Sequence, residues 1–239
     1  MAFISLLDDR AKPKGSRDPL GFELVWGFFG RKVVGNLTTI TSSIENFSVA
    51  LLGFYWANEI NANADKDNKQ KLVRETFLRY EQVAAYLRFY GDSHSIMGVT
   101  RVTERVGNEQ NNVSIGSESQ ILSDQASYGL WGLYSAALRE TGLIKGSERE
   151  MTDTGVAIAK RIEGMLNKHL FFDLIKSSVI GKDKLKPLSE KFMSAIQASD
   201  MREELVTALM SGAGQYPLQS ELWDTTIQLL QVEKCQFLM

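Results

Sequence analysis

Residues 127–155 read SYGLWGLYSAALRETGLIKGSEREMTDTG, and their order predicts a helix, a small β-hairpin and a second helix. Apolar residues recur at helical spacing as far as Ala137, and Gly129 and Gly132 suit a break within that helix. Residues 143–144 and 149–151 are two short extended candidates on either side of a tight turn at 145–147. Thr152 and Thr154 can cap the helix that follows.

This order resembles the recognition helix, wing and last helix of winged-helix domains. The resemblance depends on Gly142-Leu143-Ile144 before the hairpin and on Thr152-Asp153-Thr154-Gly155 after it. It implies a module that either reads DNA or docks a protein, because winged helices serve both purposes. More broadly, the acidic and helical chain resembles accessory subunits of bacterial anti-phage operons, including those that accompany SMC-like ATPases in Lamassu-type systems.

The remaining sequence predicts a mainly α-helical protein. The clearest helix covers about residues 69–90, where apolar residues follow helical spacing and charged residues mark the other face. Residues 96–106 fit either a short helix or a strand, and we favour the helix, whereas residues 113–115 suggest a short strand. Further helices are expected at residues 18–34, 44–60, 166–179, 188–197, 201–210 and 218–230.

We therefore expect three parts in the chain. Residues 1–91 form an N-terminal helical part, and residues 166–239 form a C-terminal helical part. Between them, residues 92–165 form the winged-helix-like module that carries the small β-hairpin.

Charge and cysteine content narrow the functional classes. The chain of 239 residues has a formal net charge of -2, so contact with nucleic acid requires a local basic patch or a basic partner. The single cysteine, Cys235, excludes an internal disulfide and fits a reducing compartment. Residues 47–57 are about half the roughly 20 residues that span a bilayer, and the N-terminus lacks the pattern of a signal peptide. We expect a cytoplasmic protein with a buried helix at 47–57.

No motif for catalysis or cofactor binding stands out. Residues 30–35 have the glycine spacing of a phosphate-binding P-loop, but Asn36 and Leu37 replace its Lys and Ser or Thr. The two histidines, His94 and His169, are too far apart in sequence to suggest a paired metal site. We expect no catalytic, cofactor or metal site, although a lone acid/base histidine in an unrecognised enzyme stays open.

The charges of the winged-helix-like module favour docking over DNA reading. Between residues 119 and 141 the only cation is Arg139, and the hairpin cations are flanked by Glu148 and Glu150. If nucleic acid is contacted, the candidate residues are Lys145, Arg149, Arg139, Arg74 and Arg79. Because Trp and Tyr are frequent in interface hot spots, the candidate partner-interface residues are Trp56, Tyr55, Trp131 and Trp223.

These observations predict a non-catalytic adaptor or accessory subunit of a cytoplasmic bacterial complex that acts on nucleic acid. Its partners would be proteins in a hetero-oligomeric complex, nucleic acid would be reached through that complex, and phage or plasmid defence is the predicted context. The alternative is a winged-helix DNA-binding regulator, in which Lys145, Arg149 and the basic positions of the helix at 69–90 contact phosphates.

Overall fold

The computed structural model describes residues 43–91, 95–108 and 111–211, together with residues 22, 25, 27–30, 38, 221 and 225. The three continuous stretches all belong to one compact unit, Asn36–Gly212. The second unit, Met1–Gly35 with Ala213–Met239, contains helical residues at 25, 27–30, 221 and 225, within the helices predicted at 18–34 and 218–230. His94, Trp223 and Cys235 lie outside the described residues.

The compact unit is mainly α-helical. Its first half consists of α1 (Glu45–Ile60), α2 (Lys66–Tyr90), α3 (Val99–Asn108), β1 (Asn112–Ser114), a 3-10 turn (Ser117–Ser119), α4 (Gln125–Tyr128) and α5 (Leu130–Glu140). Its second half consists of β2 (Ile144–Lys145), β3 (Glu150–Met151), α6 (Asp153–Glu163), α7 (Lys168–Lys176), β4 (Val179–Gly181), α8 (Lys182–Gln197) and α9 (Ser199–Ser211).

Helix α1 is the centre of the core. All residues from 46 to 54 are buried, as are Trp56 and Ala57, which is the burial expected of a helix that is apolar on every side. This confirms the buried helix predicted at 47–57. Among the described residues, no helix combines the length and the apolarity needed to cross a membrane.

Helix α2 packs against α1, α3, α7 and α8, so it joins the predicted parts of the chain. The ring of Phe54 on α1 lies 4.4 Å from that of Phe77 on α2 and 5.4 Å from that of Trp131 on α5, measured between centroids. One hydrophobic core therefore includes residues from all three predicted parts. The boundaries expected at residues 91 and 165 therefore do not divide the hydrophobic core. Residues from the central and the C-terminal predicted parts both pack on α1 and α2.

The predicted end of α5 has a Schellman geometry. Gly142 adopts a φ of 69°, a left-handed conformation that favours glycine. Its amide donates to the carbonyl of Arg139 at 2.9 Å, and the amide of Leu143 donates to the carbonyl of Leu138 at 2.9 Å. The sequence Gly142-Leu143 thus ends the helix and turns the chain into the hairpin.

Thr152 and Gly155 join the hairpin to α6. The hydroxyl of Thr152 donates to the carbonyl of Gly142 at 2.7 Å and accepts from the amide of Gly155 at 3.1 Å, which caps the helix as predicted. A Cβ atom at Gly155 would lie 2.0 Å from the carbonyl oxygen of Leu143, so the backbones approach closely there. The residues on which the winged-helix resemblance depends therefore hold the end of α5, the hairpin and the start of α6 together.

Strands β2 and β3 form the predicted hairpin, with Ile144 opposite Met151. They pair only with each other among the described residues, while β1 pairs antiparallel with β4, with Val113 opposite Ile180. The mainly α fold with a small hairpin is confirmed, as are the helix at 96–106 and the break at Gly129. The winged-helix identity of the module stays a prediction.

The region after α7 differs from the prediction. The sequence predicts helices at 166–179 and 188–197, but α7 ends at Lys176, β4 follows it, and α8 already begins at Lys182. Pro187 lies within α8, and because proline has no backbone N–H, the helix lacks one hydrogen-bond donor there. Strand β4 is not evident from the sequence, because its partner β1 is distant in the chain.

Candidate functional site

An open groove of about 680 Å³ lies between the first half of α2, the segment before α5 and the hairpin loop. We name it the arginine groove. Its lining residues are Gln70, Lys71, Arg74, Glu75, Leu78, Gln120, Asp124, Ala126, Trp131 and Arg149. The groove contains three of the predicted site residues, Arg74, Trp131 and Arg149.

Arg149 lies over the indole of Trp131, with its Cζ atom 4.2 Å from the ring centroid. This distance is typical of a cation–π contact. Arg149 has a φ of 57°, which is uncommon for a residue other than glycine. Its backbone carbonyl accepts from Asn58 Nδ2 at 3.2 Å, and its Nη1 donates to the carbonyl of Ser147 at 3.1 Å. The hairpin loop therefore holds this guanidinium on the groove wall.

Two more arginines lie near Arg149. Burial lowers the pKa of the Arg149 guanidinium, and the positive charges of Arg139 and Arg74 lower it further. Arg74 is exposed on α2, and Arg139 is exposed on α5. Among the described residues, neither Arg74 nor Arg139 forms an ion pair with a carboxylate within 4.0 Å.

The groove carries more positive than negative charge, although the chain as a whole is acidic. Lys71, Arg74 and Arg149 line it together with the carboxylates Glu75 and Asp124, while Arg139 and Glu148 add one charge of each sign close to Arg149. Lys71 Nζ lies 4.0 Å from Glu75 Oε1 in an exposed pair, which is a weak interaction. The groove is therefore suited to an anionic ligand.

Asp124 has a structural role at the edge of the groove. Its Oδ1 accepts from the amide of Ser127 at 3.0 Å, which caps α4. Hydrogen bonds from Ser127 lower the pKa of the Asp124 carboxyl, and the charge of Arg74 lowers it further. This carboxylate therefore stays ionised and limits how much of the groove a polyanion can cover.

A buried polar network that is not evident from the sequence supports the wall of the groove. Gln125 Nε2 donates to Glu81 Oε2 at 2.8 Å and to the carbonyl of Leu78 at 2.8 Å. Gln82 Nε2 donates to Gln125 Oε1 at 3.1 Å, while Gln82 Oε1 accepts from the amide of Gly116 at 2.8 Å. The network fixes α4 and the preceding loop against α2.

Glu81 connects this network to α5. Its Oε1 accepts from the amide of Leu130, the first residue of α5, at 2.6 Å. Burial raises the pKa of the Glu81 carboxyl to about 7, against the opposing effect of the hydrogen bonds from Leu130 and Gln125. The sequence of α2 does not reveal this network, because polar residues are expected on the exposed face of an amphipathic helix. They indicate a buried network only once the buried face of the helix is known.

Arg79 is not part of the groove. Its Nε donates to the carbonyl of Ile175 at 2.7 Å, and its Nη2 donates to the carbonyls of Lys176 and Ser177 at 3.0 and 2.6 Å. These carbonyls lie at the end of α7, where positive charge and donors are stabilising. The prediction of Arg79 as a phosphate contact is therefore corrected, because its guanidinium is already used within the chain.

Lys145 and the aromatic candidates have different environments. Lys145 is 65% exposed, with its Nζ 4.0 Å from Glu150 Oε2. Trp56 is completely buried, and its Nε1 donates to Glu163 Oε1 at 2.8 Å, so its prediction as an interface residue is wrong. Tyr55 is half-buried, and partial burial followed by the charge of Glu163 raises the pKa of its hydroxyl. Trp223 lies outside the described residues.

The start of α5 is enclosed. A recognition helix contacts base edges with its N-terminal residues. Leu130 and Trp131 occupy that position in α5, and both are buried, with Glu81 and Arg149 against them. The side chains at this end of α5 are therefore part of the core rather than of the exposed surface.

Within the described ranges, no three His, Cys, Asp or Glu side chains are grouped so as to hold a metal ion. His169 is exposed on α7, away from the groove lining. No protein-family model, curated protein sequence or solved structure matches this chain.

Proposed function

We propose that the chain is a non-catalytic adaptor subunit of a cytoplasmic bacterial protein complex that acts on nucleic acid. In this proposal the adaptor binds protein partners and brings nucleic acid to them through the arginine groove. Defence against phage or plasmids stays the predicted context.

One observation carries the proposal, namely the convergence of three arginines on an otherwise acidic chain. Arg74 on α2 and Arg149 in the hairpin loop line the open groove, and the charges of Arg74 and of Arg139 on α5 both act on Arg149. Bringing like charges together is unfavourable in the absence of a ligand, and the positive charges of Arg139 and Arg74 add to burial in lowering the pKa of Arg149. An anionic ligand would offset this repulsion, and the planar guanidinium matches the geometry of phosphate oxygens with two parallel hydrogen bonds.

The alternative, a regulator that reads duplex DNA with α5, has less support. The N-terminal end of α5 is buried, and Arg79, one of its expected phosphate contacts, is bound to the end of α7. An adaptor requires neither a free recognition helix nor Arg79.

The test is a pull-down of the tagged full-length protein from its native host, with and without nuclease treatment, in which bound proteins and bound nucleic acid are both measured. We expect stoichiometric protein partners that survive the nuclease. We also expect the Arg74→Glu/Arg149→Glu variant to keep those proteins while losing most of the nucleic acid. The matched control is Lys184→Glu/Lys186→Glu, which makes the same charge change at exposed positions of α8.

Two results would contradict the proposal. Recovery of the wild-type protein without any partner would exclude the adaptor role. Equal loss of nucleic acid from the groove variant and the α8 control would show that the groove has no special part in binding.

A further inference from the structure

The arginine groove presents a planar cation that is held in place by an aromatic ring. The guanidinium of Arg149 lies over Trp131 on its inner side, and the residue is half-buried in the groove wall. Its Nε atom is buried and has no hydrogen-bond partner among the described residues. The indole and the contact with Ser147 thus restrict the orientation of the guanidinium, and Arg149 is among the residues that line the groove.

Arginine planes stacked in this way are used in recognition of unpaired nucleic acid. A single strand is bound where bases stack on aromatic or guanidinium planes and where neighbouring cations contact the phosphates. Arg149 supplies such a plane, and the charges of Arg74 and Arg139 act on it; in the described part of the chain neither of these two has a carboxylate within 4.0 Å. An acidic peptide would pair with the same positive charges, but its carboxylates would not stack on the guanidinium plane.

We propose that the arginine groove binds an unpaired stretch of nucleic acid, with one base stacked on the guanidinium plane of Arg149 and adjacent phosphates on Arg74 and Arg139. A duplex does not offer a base face to this recessed position, because its bases are stacked inside the helix. This inference rests on the proposed function and specifies its ligand.

The experiment measures binding of fluorescent oligonucleotides to the purified full chain by anisotropy at low salt. The probes are a 12-nucleotide thymidylate strand, an abasic strand of the same length and a duplex of the same length. We expect the thymidylate strand to bind about tenfold tighter than the abasic strand, which is the typical value of one stacked base. This comparison uses the wild-type protein and does not depend on the folding of any variant.

Conservative variants separate stacking from charge. Arg149→Lys keeps the positive charge and removes the plane, so we expect it to weaken binding of the thymidylate strand about tenfold and to leave binding of the abasic strand unchanged. Lys184→Ala, at an exposed position of α8 that does not line the groove, is expected to change both affinities less than twofold.

Equal affinity for the thymidylate and abasic strands would overturn the inference, as would tighter binding of the duplex. Displacement of the bound strand by an equal charge of polyglutamate would also overturn it, since charge alone would then explain binding. Each of these results leaves the adaptor proposal standing, because that proposal is tested separately by the protein partners and the nucleic acid recovered from the host.

Discussion

Replacing Glu81 by Gln tests whether the network behind the groove contains an ionisable group with a strongly raised pKa. Glu81 is fully buried, and its carboxyl joins α2 to the first amide of α5. Gln has the same shape and keeps an oxygen acceptor for Leu130, but it does not titrate. Its amide nitrogen faces the donor Nε2 of Gln125, and this loss of a hydrogen bond is the same at every pH. The wild type and the variant should therefore differ in how their stability depends on pH.

The magnitude follows from the shift of the pKa from 4.5 in the unfolded chain to about 7 in the folded one. At pH values between these two pKa values the folded protein binds more protons than the unfolded chain, so the free energy of unfolding falls as pH rises. At 1.36 kcal/mol for each unit, the loss is about 3 kcal/mol between pH 4.5 and pH 8. The stabilising effect of the protonated carboxyl is complete below pH 4.5.

The assay is urea unfolding of the wild type and Glu81→Gln at several pH values from 4.5 to 8. We expect the wild type to lose about 3 kcal/mol relative to the variant across this range. Glu190→Gln, which removes an exposed carboxylate on α8, serves as control and should keep a constant difference from the wild type. A constant difference between the wild type and Glu81→Gln would refute the reasoning.

Three other substitutions test individual contacts by urea unfolding. Gly155→Ala should lose roughly 2 kcal/mol, because the new methyl group collides with the carbonyl of Leu143, and an unchanged midpoint would contradict the close approach. Arg79→Ala should cost about 2 kcal/mol through the lost donors at the end of α7, yet leave oligonucleotide binding intact; weaker binding would return Arg79 to the site. Trp56→Phe should cost about 2 kcal/mol by removing the donor to Glu163, and a neutral result would argue against that buried contact.

Local signals made much of the fold predictable. Helix α1 follows from its continuous apolar run and α2 from its apolar periodicity. The hairpin follows from Gly142, Thr152 and Gly155, whose roles depend on residues close in sequence. The β1–β4 pair was not predicted, because each strand has only three residues and the partner is distant in the chain. Pairing of this kind is decided by tertiary packing rather than by local pattern.

The site was predictable only in part. Arg74 and Arg79 lie on the same helix and look alike in sequence, but one lines the groove and the other binds the end of α7. Trp56 and Trp131 are both candidate interface residues by residue type. The apolar sequence around Trp56 in α1 favours burial instead, and the structure buries it. The approach of Arg139 to Arg149 depends on how α5 and the hairpin pack, which no local pattern encodes.

The central claim is that the arginine groove is the surface at which the chain meets nucleic acid in its complex. The most direct measurement is photo-crosslinking in the native host from a photo-activatable residue placed at Gln70, which is exposed and lines the groove, with Glu190 on α8 as the control position. The account predicts crosslinks to nucleic acid from position 70 and background levels from position 190. Crosslinks of equal yield from both positions, or crosslinks from position 190 alone, would contradict it.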